Sequence, residues 1–126
     1  FERVKALHPE RQWETISGND YLQQLAHALQ SRKVRTALLC SGDIYALHIM
    51  RYFKQNAIKT PQDIGIMGFD NINILEYIVP HLTTVSTNVE QVATVAVNEL
   101  LSQITDGISM PKRIVLPHTV MDMDTL

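Results

Sequence analysis

Two short apolar runs, Thr36–Cys40 and Ile64–Phe69, and the β-branched run Thr83–Thr87 constrain this chain more than any other feature. The run Thr36–Cys40 is continuous rather than alternating, which is the pattern of a strand covered on both faces of a parallel sheet. Between and after them lie stretches with helical spacing. Strands that alternate with helices of ten or more residues make a doubly wound α/β fold, a parallel sheet with helices on both faces. Trp13–Ile16 and Arg113–Leu116 are expected as two further short strands.

The helical segments follow from periodicity and punctuation. Residues 1–7 read as the end of an amphipathic helix that stops at His8-Pro9, since proline keeps its predecessor out of the α region. After the turn Ser17-Gly18-Asn19-Asp20, a helix capped by Asn19 or Asp20 is expected to run through residue 32 with Leu22, Leu25, Ala26 and Leu29 inward and a basic end. A third helix spans Ile44 to Gln55, with Ile44, Leu47, Met50 and Phe53 on one stripe, Tyr45, Ile49 and Tyr52 on a second, and Asn56 as its stop. Residues 71–79 form a short helix or irregular turn ended by Pro80. Thr87 or Asn88 then caps a long helix to Ile104 that turns Val89, Val92, Ala93, Ala96, Leu100 and Ile104 inward, and Asp106-Gly107 closes it. Residues 122–126 are expected to fray.

Composition bounds the function. With 126 residues, 45% hydrophobic and 19% charged, the chain suits one globular domain with a real core. Its net charge of −2 and lack of any basic run beyond Arg32-Lys33 and Lys112-Arg113 argue against direct binding of nucleic acid. The single cysteine, Cys40, allows no internal disulfide and fits the cytoplasm, as a core thiol rather than a nucleophile. No apolar run approaches the roughly 18 residues of a membrane span. The opening Phe1-Glu2-Arg3 is neither a signal peptide nor a natural start, so the chain is expected to continue upstream. His8, His27, His48, His81 and His118 lack the spacing of metal ligands, and no nucleophile elbow, phosphate loop or dinucleotide fingerprint occurs. No catalysis, metal or cofactor is expected.

The residues Thr36-Ala37-Leu38-Leu39-Cys40-Ser41-Gly42-Asp43-Ile44-Tyr45-Ala46-Leu47, Pro61-Gln62-Asp63-Ile64, Gly68-Phe69-Asp70-Asn71 and Pro80-His81-Leu82-Thr83-Thr84-Val85 resemble, in order and spacing, the lactose/galactose repressor (LacI/GalR) family. The resemblance covers roughly residues 36 to 117. It implies one lobe, the C-terminal one, of an effector-binding core like type I periplasmic binding proteins, spanning residues 1–126, with the DNA-binding domain outside this chain. It also implies that segment 88–106 packs on the missing N-terminal lobe, leaving its apolar face without its normal partner here. Such a piece would pair with another molecule through that helix or refold it onto its own sheet. Phe1 would match the phenylalanine that follows an effector-contacting arginine. Two departures stand out: the loop Ser17-Gly18-Asn19-Asp20 carries no aromatic for stacking on a sugar, and the end Met121-Asp122-Met123-Asp124 lacks the family's arginine.

A polar residue just past the carboxyl end of a parallel strand faces the crevice where ligands bind, which makes Asp70 the first candidate. Its carboxylate suits two hydroxyls of a sugar or other polyol, and the plainer alternative is a cap on the turn at Asn71. Ser41 and Gly42 end the neighbouring strand, and Gly42 would admit a ligand close to the backbone. Asn19 could offer an amide, although Asn is also a common turn residue. Asp43 is expected as the N-cap of the helix after it. The resemblance places Leu47, Met50, Tyr77 and Ile78 in a homodimer contact, with core packing as the alternative. The implied function is sensing of a small-molecule effector, a sugar or derivative, by a cytoplasmic repressor that reaches DNA only through its missing domain and has no membrane partner. A lobe of a secreted sugar-binding protein of an uptake transporter is the alternative. A flavodoxin-like enzyme or phosphoacceptor would need a larger acidic cluster than Asp43 and Asp70 provide.

Overall fold

The computed structural model describes residues 2–30, 34–107 and 111–126. The basic end expected at Arg32-Lys33 and the match expected at Phe1 lie outside the described residues. The chain divides into two compact units, residues 1–34 and 35–126.

The first unit holds α1 (Glu2–Leu7) and α2 (Tyr21–Gln30). Asp20 starts α2, its carbonyl accepting the N–H groups of Gln23 and Gln24, while its carboxylate accepts from the Gln24 side chain at 2.8 Å. Leu25 and Ala28 form the buried line of α2, and Leu22, Ala26 and Leu29 are half-buried. No strand forms at Trp13–Ile16. The Trp13 indole instead donates back to the His8 carbonyl at 3.2 Å.

The second unit is built on β1 (Thr36–Leu39) and β2 (Ile64–Met67), a parallel pair in the register Thr36 to Ile64 through Leu39 to Met67. The crossover between them is α3 (Asp43–Gln55), stopped at Asn56, whose N–H reaches the carbonyls of Phe53 and Tyr52. After β2 come a 3-10 helix, Asn73–Tyr77, then β3 (Thr84–Ser86), α4 (Val89–Asp106) and β4 (Thr119–Met121). Parallel bridges Met67 to Thr83 and Asp70 to Ser86 lay β3 beside β2. The result is an α/β unit with strand neighbours in the order β1, β2, β3, and β4 antiparallel to β3 at the far side.

Four expectations are corrected. The last strand lies at Thr119–Met121 and not at Arg113–Leu116; Pro111 and Pro117 flank the latter, and Ile114 and Val115 are exposed without a ladder. The face of α3 that enters the core is Asp43, Ala46, Ile49 and Phe53, so Ile44 is exposed and Leu47 and Met50 are only half-buried. The helix α4 has the expected ends, with Asn88 accepting from the Gln91 N–H and Gly107 in the left-handed conformation at φ 65, yet it buries none of its residues. It has not refolded onto its own sheet. The C-terminal residues do not fray: Thr125 is 0% exposed, its hydroxyl accepts from the Thr83 N–H and donates to the Ile66 carbonyl, both at 2.8 Å, and its carbonyl accepts from the Ile66 N–H at 2.7 Å.

Candidate functional site

The carboxyl ends of β1 and β2 are bound together past the strands themselves. Cys40 N–H donates to the Met67 carbonyl and Asp43 N–H to the Phe69 carbonyl, both at 2.8 Å. On the other side of β2, Gly68 N–H donates to Thr83 and Asp70 N–H to Val85, both at 2.9 Å. Asp70 and Asn71 consequently leave the strand with φ of 107 and 56. Such values are costly for residues with a Cβ, persist only where the surroundings impose them, and cluster at ligand-contacting positions.

Asp70 is exposed, and among the described residues its carboxylate takes part in no hydrogen bond or ion pair. It does not cap the turn that follows; the N-cap of the 3-10 helix is Ile72, without a side-chain cap. Gly42 lies beside it: a Cβ built on Gly42 would stand 3.5 Å from Asp70 Oδ2, an ordinary contact. The φ of −168 at Gly42 is extended backbone open to any residue, and Gly42 is buried whereas Ser41 is exposed. Leu39, Cys40, Ser41 and Phe69 line a shallow depression of about 360 Å³ at the same strand ends, with an apolar floor. Burial first, and the Asp43 charge second, push the Cys40 thiol up to about 11, so it holds its proton at neutral pH. The structure therefore joins Asp70, Gly42 and Ser41 in one place, while Asn19 belongs to the other unit.

Asp43 is not the N-cap. That position is Gly42, with no side-chain cap, and Asp43 opens the first turn of α3 at 1% exposure. Its Oδ1 accepts from Thr84 Oγ1 at 2.6 Å and its Oδ2 from the Ile72 N–H at 2.9 Å. Gly68 is the glycine this arrangement requires, because a Cβ there would collide with the Asp43 carboxylate and lie 2.9 Å from Leu82 Cδ2. Sequence reasoning missed Thr84 and Gly68; the adjacent hydroxyls Thr83-Thr84 between the apolar Leu82 and Val85 were the available signal. Of the residues expected at a dimer contact, Leu47 and Met50 lie half-buried on α3, and Tyr77, 77% exposed, ends the 3-10 helix with Ile78 half-buried after it. Among the described residues no group of three His, Cys, Asp or Glu side chains could hold a metal ion, and no helix is long and apolar enough to cross a membrane.

The profile of the periplasmic binding protein-like domain matches residues 2–125. The chain belongs to that family. Within it the chain is a piece of a LacI/GalR effector-binding core. The HTH-type transcriptional repressor PurR of Aliivibrio fischeri is 38% identical over 79 residues, which is 63% of this chain and 23% of that protein. The lac repressor dimer bound to operator and the anti-inducer ONPF superposes with a TM-score of 0.70 at 27% identity, over 82% of this chain and 36% of that one. The transcription regulator CcpA of Lactococcus lactis, at 20% identity, shares the fold with a TM-score of 0.77 over 98% of this chain and 48% of that one. The chain thus spans about a quarter of the length of the curated repressors it matches.

Proposed function

We propose that this chain is the effector-sensing and dimerising part of a cytoplasmic transcriptional repressor, and that Asp70 receives the effector. The observation that carries this reading is the Asp70 carboxylate, exposed and without a partner, held at φ 107 on the carboxyl ends of β1 and β2 beside Gly42. A lone carboxylate at a strand end is suited to accept hydrogen bonds from two hydroxyls, and the apolar floor at Leu39 and Phe69 beside it suits the C–H face of a sugar ring. Ser41 and Gly42 complete the proposed contacts. Leu47, Met50, Tyr77 and Ile78 form the proposed homodimer surface, α4 packs on the other lobe of the core, and DNA is bound by a domain outside this chain. No reaction is proposed.

Sensing of this kind needs the effector to bind two conformations of the repressor unequally, typically by about 1–3 kcal/mol. Asp70 contributes only where its contacts differ between them. In the intact protein Asp70→Ala should abolish the response to effector while operator binding is retained. Calorimetry against a panel of sugars should show affinity falling by about 1.5–3 kcal/mol for each charge-assisted bond removed. An effector affinity equal to wild type would remove Asp70 from the site.

A further inference from the structure

We propose that Asp43 is the positioning residue of the effector site, a buried clamp that holds the Asp70 loop in its strained conformation and ties it to β3. The role rests on the reading of Asp70 as the effector's partner. Burying a carboxyl group is unfavourable unless its oxygens are hydrogen-bonded, and here both are, by segments distant in the chain: Thr84 on β3 and the Ile72 N–H beyond Asp70. The main-chain N–H of the same residue holds the Phe69 carbonyl. Asp43 therefore grips the loop one residue before Asp70 and two residues after it.

The loop needs such a grip. Asp70 and Asn71 both sit at positive φ, and the Asp70 carboxylate, with no partner among the described residues, contributes nothing to holding them there. What remains is the backbone bond from Asp70 to Val85 and the two attachments to Asp43. The fold has also cleared space for this carboxylate, since a side chain at Gly68 would strike it. Both oxygens accept here, and because a hydroxyl can accept as well as donate, an amide at 43 could keep the Ile72 N–H on its oxygen and turn its NH2 to Thr84; the clamp is lost only when both acceptors are removed. Through Thr84 the clamp also reaches Ser86, the bridge partner of Asp70 at the end of β3, so displacement at the effector loop has a direct path to the start of the crossover into α4.

The test is NMR of the intact protein, comparing wild type with Asp43→Ala and Thr84→Val. The readouts are the HN–Hα coupling of Asp70, which reports φ, and exchange of the Ile72 amide against the Cys40 and Ile66 amides. In Asp43→Ala the Ile72 amide should exchange about tenfold faster relative to the two references, and the Asp70 coupling should leave its positive-φ value. Thr84→Val, which spares the acceptor of Ile72, should move the coupling the same way by less. An unchanged Asp70 coupling in Asp43→Ala, or equal acceleration of all three amides, would overturn the proposal, the second because it marks a purely global role. Should Asp43→Ala fail to fold, an unaltered coupling in Thr84→Val overturns it. Sugar titrations that leave the Asp70 resonances still, while both variants shift its coupling, would refute the effector reading and leave the clamp standing.

Discussion

α4 and the C-terminal tail exchange the roles that their sequences suggest. The helix carries apolar residues at helical spacing over 18 positions and buries none of them. The tail, Asp122–Leu126, has two carboxylates and a hydroxyl in five residues, yet it places Thr125 among the most buried side chains of the protein. Periodicity states that a helix has an apolar face; it says nothing of what covers that face. Burial of a polar residue is decided by whether distant backbone groups are waiting for it, and Thr83 N–H and Ile66 C=O are.

The largest expected effect follows from the proposal that α4 is covered by the other lobe. Leu100, 58% exposed on α4, should tolerate Leu100→Ala in this 126-residue chain, with a change within about 0.5 kcal/mol. In the intact protein the same substitution should cost about 2–5 kcal/mol, the range of a buried leucine truncated to alanine. Denaturant melts of both forms make the comparison. Equal small losses in the two would show that the α4 face stays open and end that proposal.

The tail should respond in the opposite way. Thr125→Val keeps the shape of the side chain but leaves a buried donor at Thr83 and a buried acceptor at Ile66 unpaired. The expected loss is about 1–3 kcal/mol, readable in the urea midpoint of the chain alone. A loss inside experimental error would mean that the tail packs by shape and not through its hydrogen bonds.

The same contrast explains what the sequence disclosed. The run of β2 was legible because it is apolar almost throughout and that of β3 because its residues are largely β-branched, whereas β1, read as covered on both faces, leaves Ala37 and Leu39 exposed. The C-terminal end of α3 and both ends of α4 were legible because Asn56, Asn88 and Gly107 satisfy helix termini locally. Asp70 could be singled out from its place after a strand alone. The face of α3 could not be read: two apolar stripes competed, and the winner begins with a carboxylate whose hydrogen-bond partners are 29 and 41 residues away. Strand β4 escaped for a related reason. Its residues Thr119–Met121 are no more strand-like than Arg113–Leu116, and only the edge of β3 decides between them.

The smallest expected effect concerns the point where the tail meets the loop after β2. Asp124 Oδ2 accepts from the His81 N–H at 2.9 Å and lies 2.8 Å from His81 Nδ1, and Asp124 N–H returns a bond to the His81 carbonyl. The His81 backbone N–H is the main cause holding the Asp124 carboxyl below its usual 3.8, with the His81 ring second and slight desolvation opposing them. A carboxyl whose folded pKa is depressed stabilises the fold above its unfolded pKa and loses that contribution as pH falls through the folded one. The urea midpoints of wild type and Asp124→Asn should therefore differ above pH 3.8 and converge as the pH is lowered beneath it. The pair is exposed, so the gap should be small. Added salt should narrow it only in part, since the leading contribution is a short-range bond to a backbone N–H and not a charge pair. The absence of any gap across this pH range would mean that the Asp124 carboxylate does not hold the tail, and would leave its docking to the Thr125 hydroxyl and the backbone groups of Met123, Asp124 and Thr125.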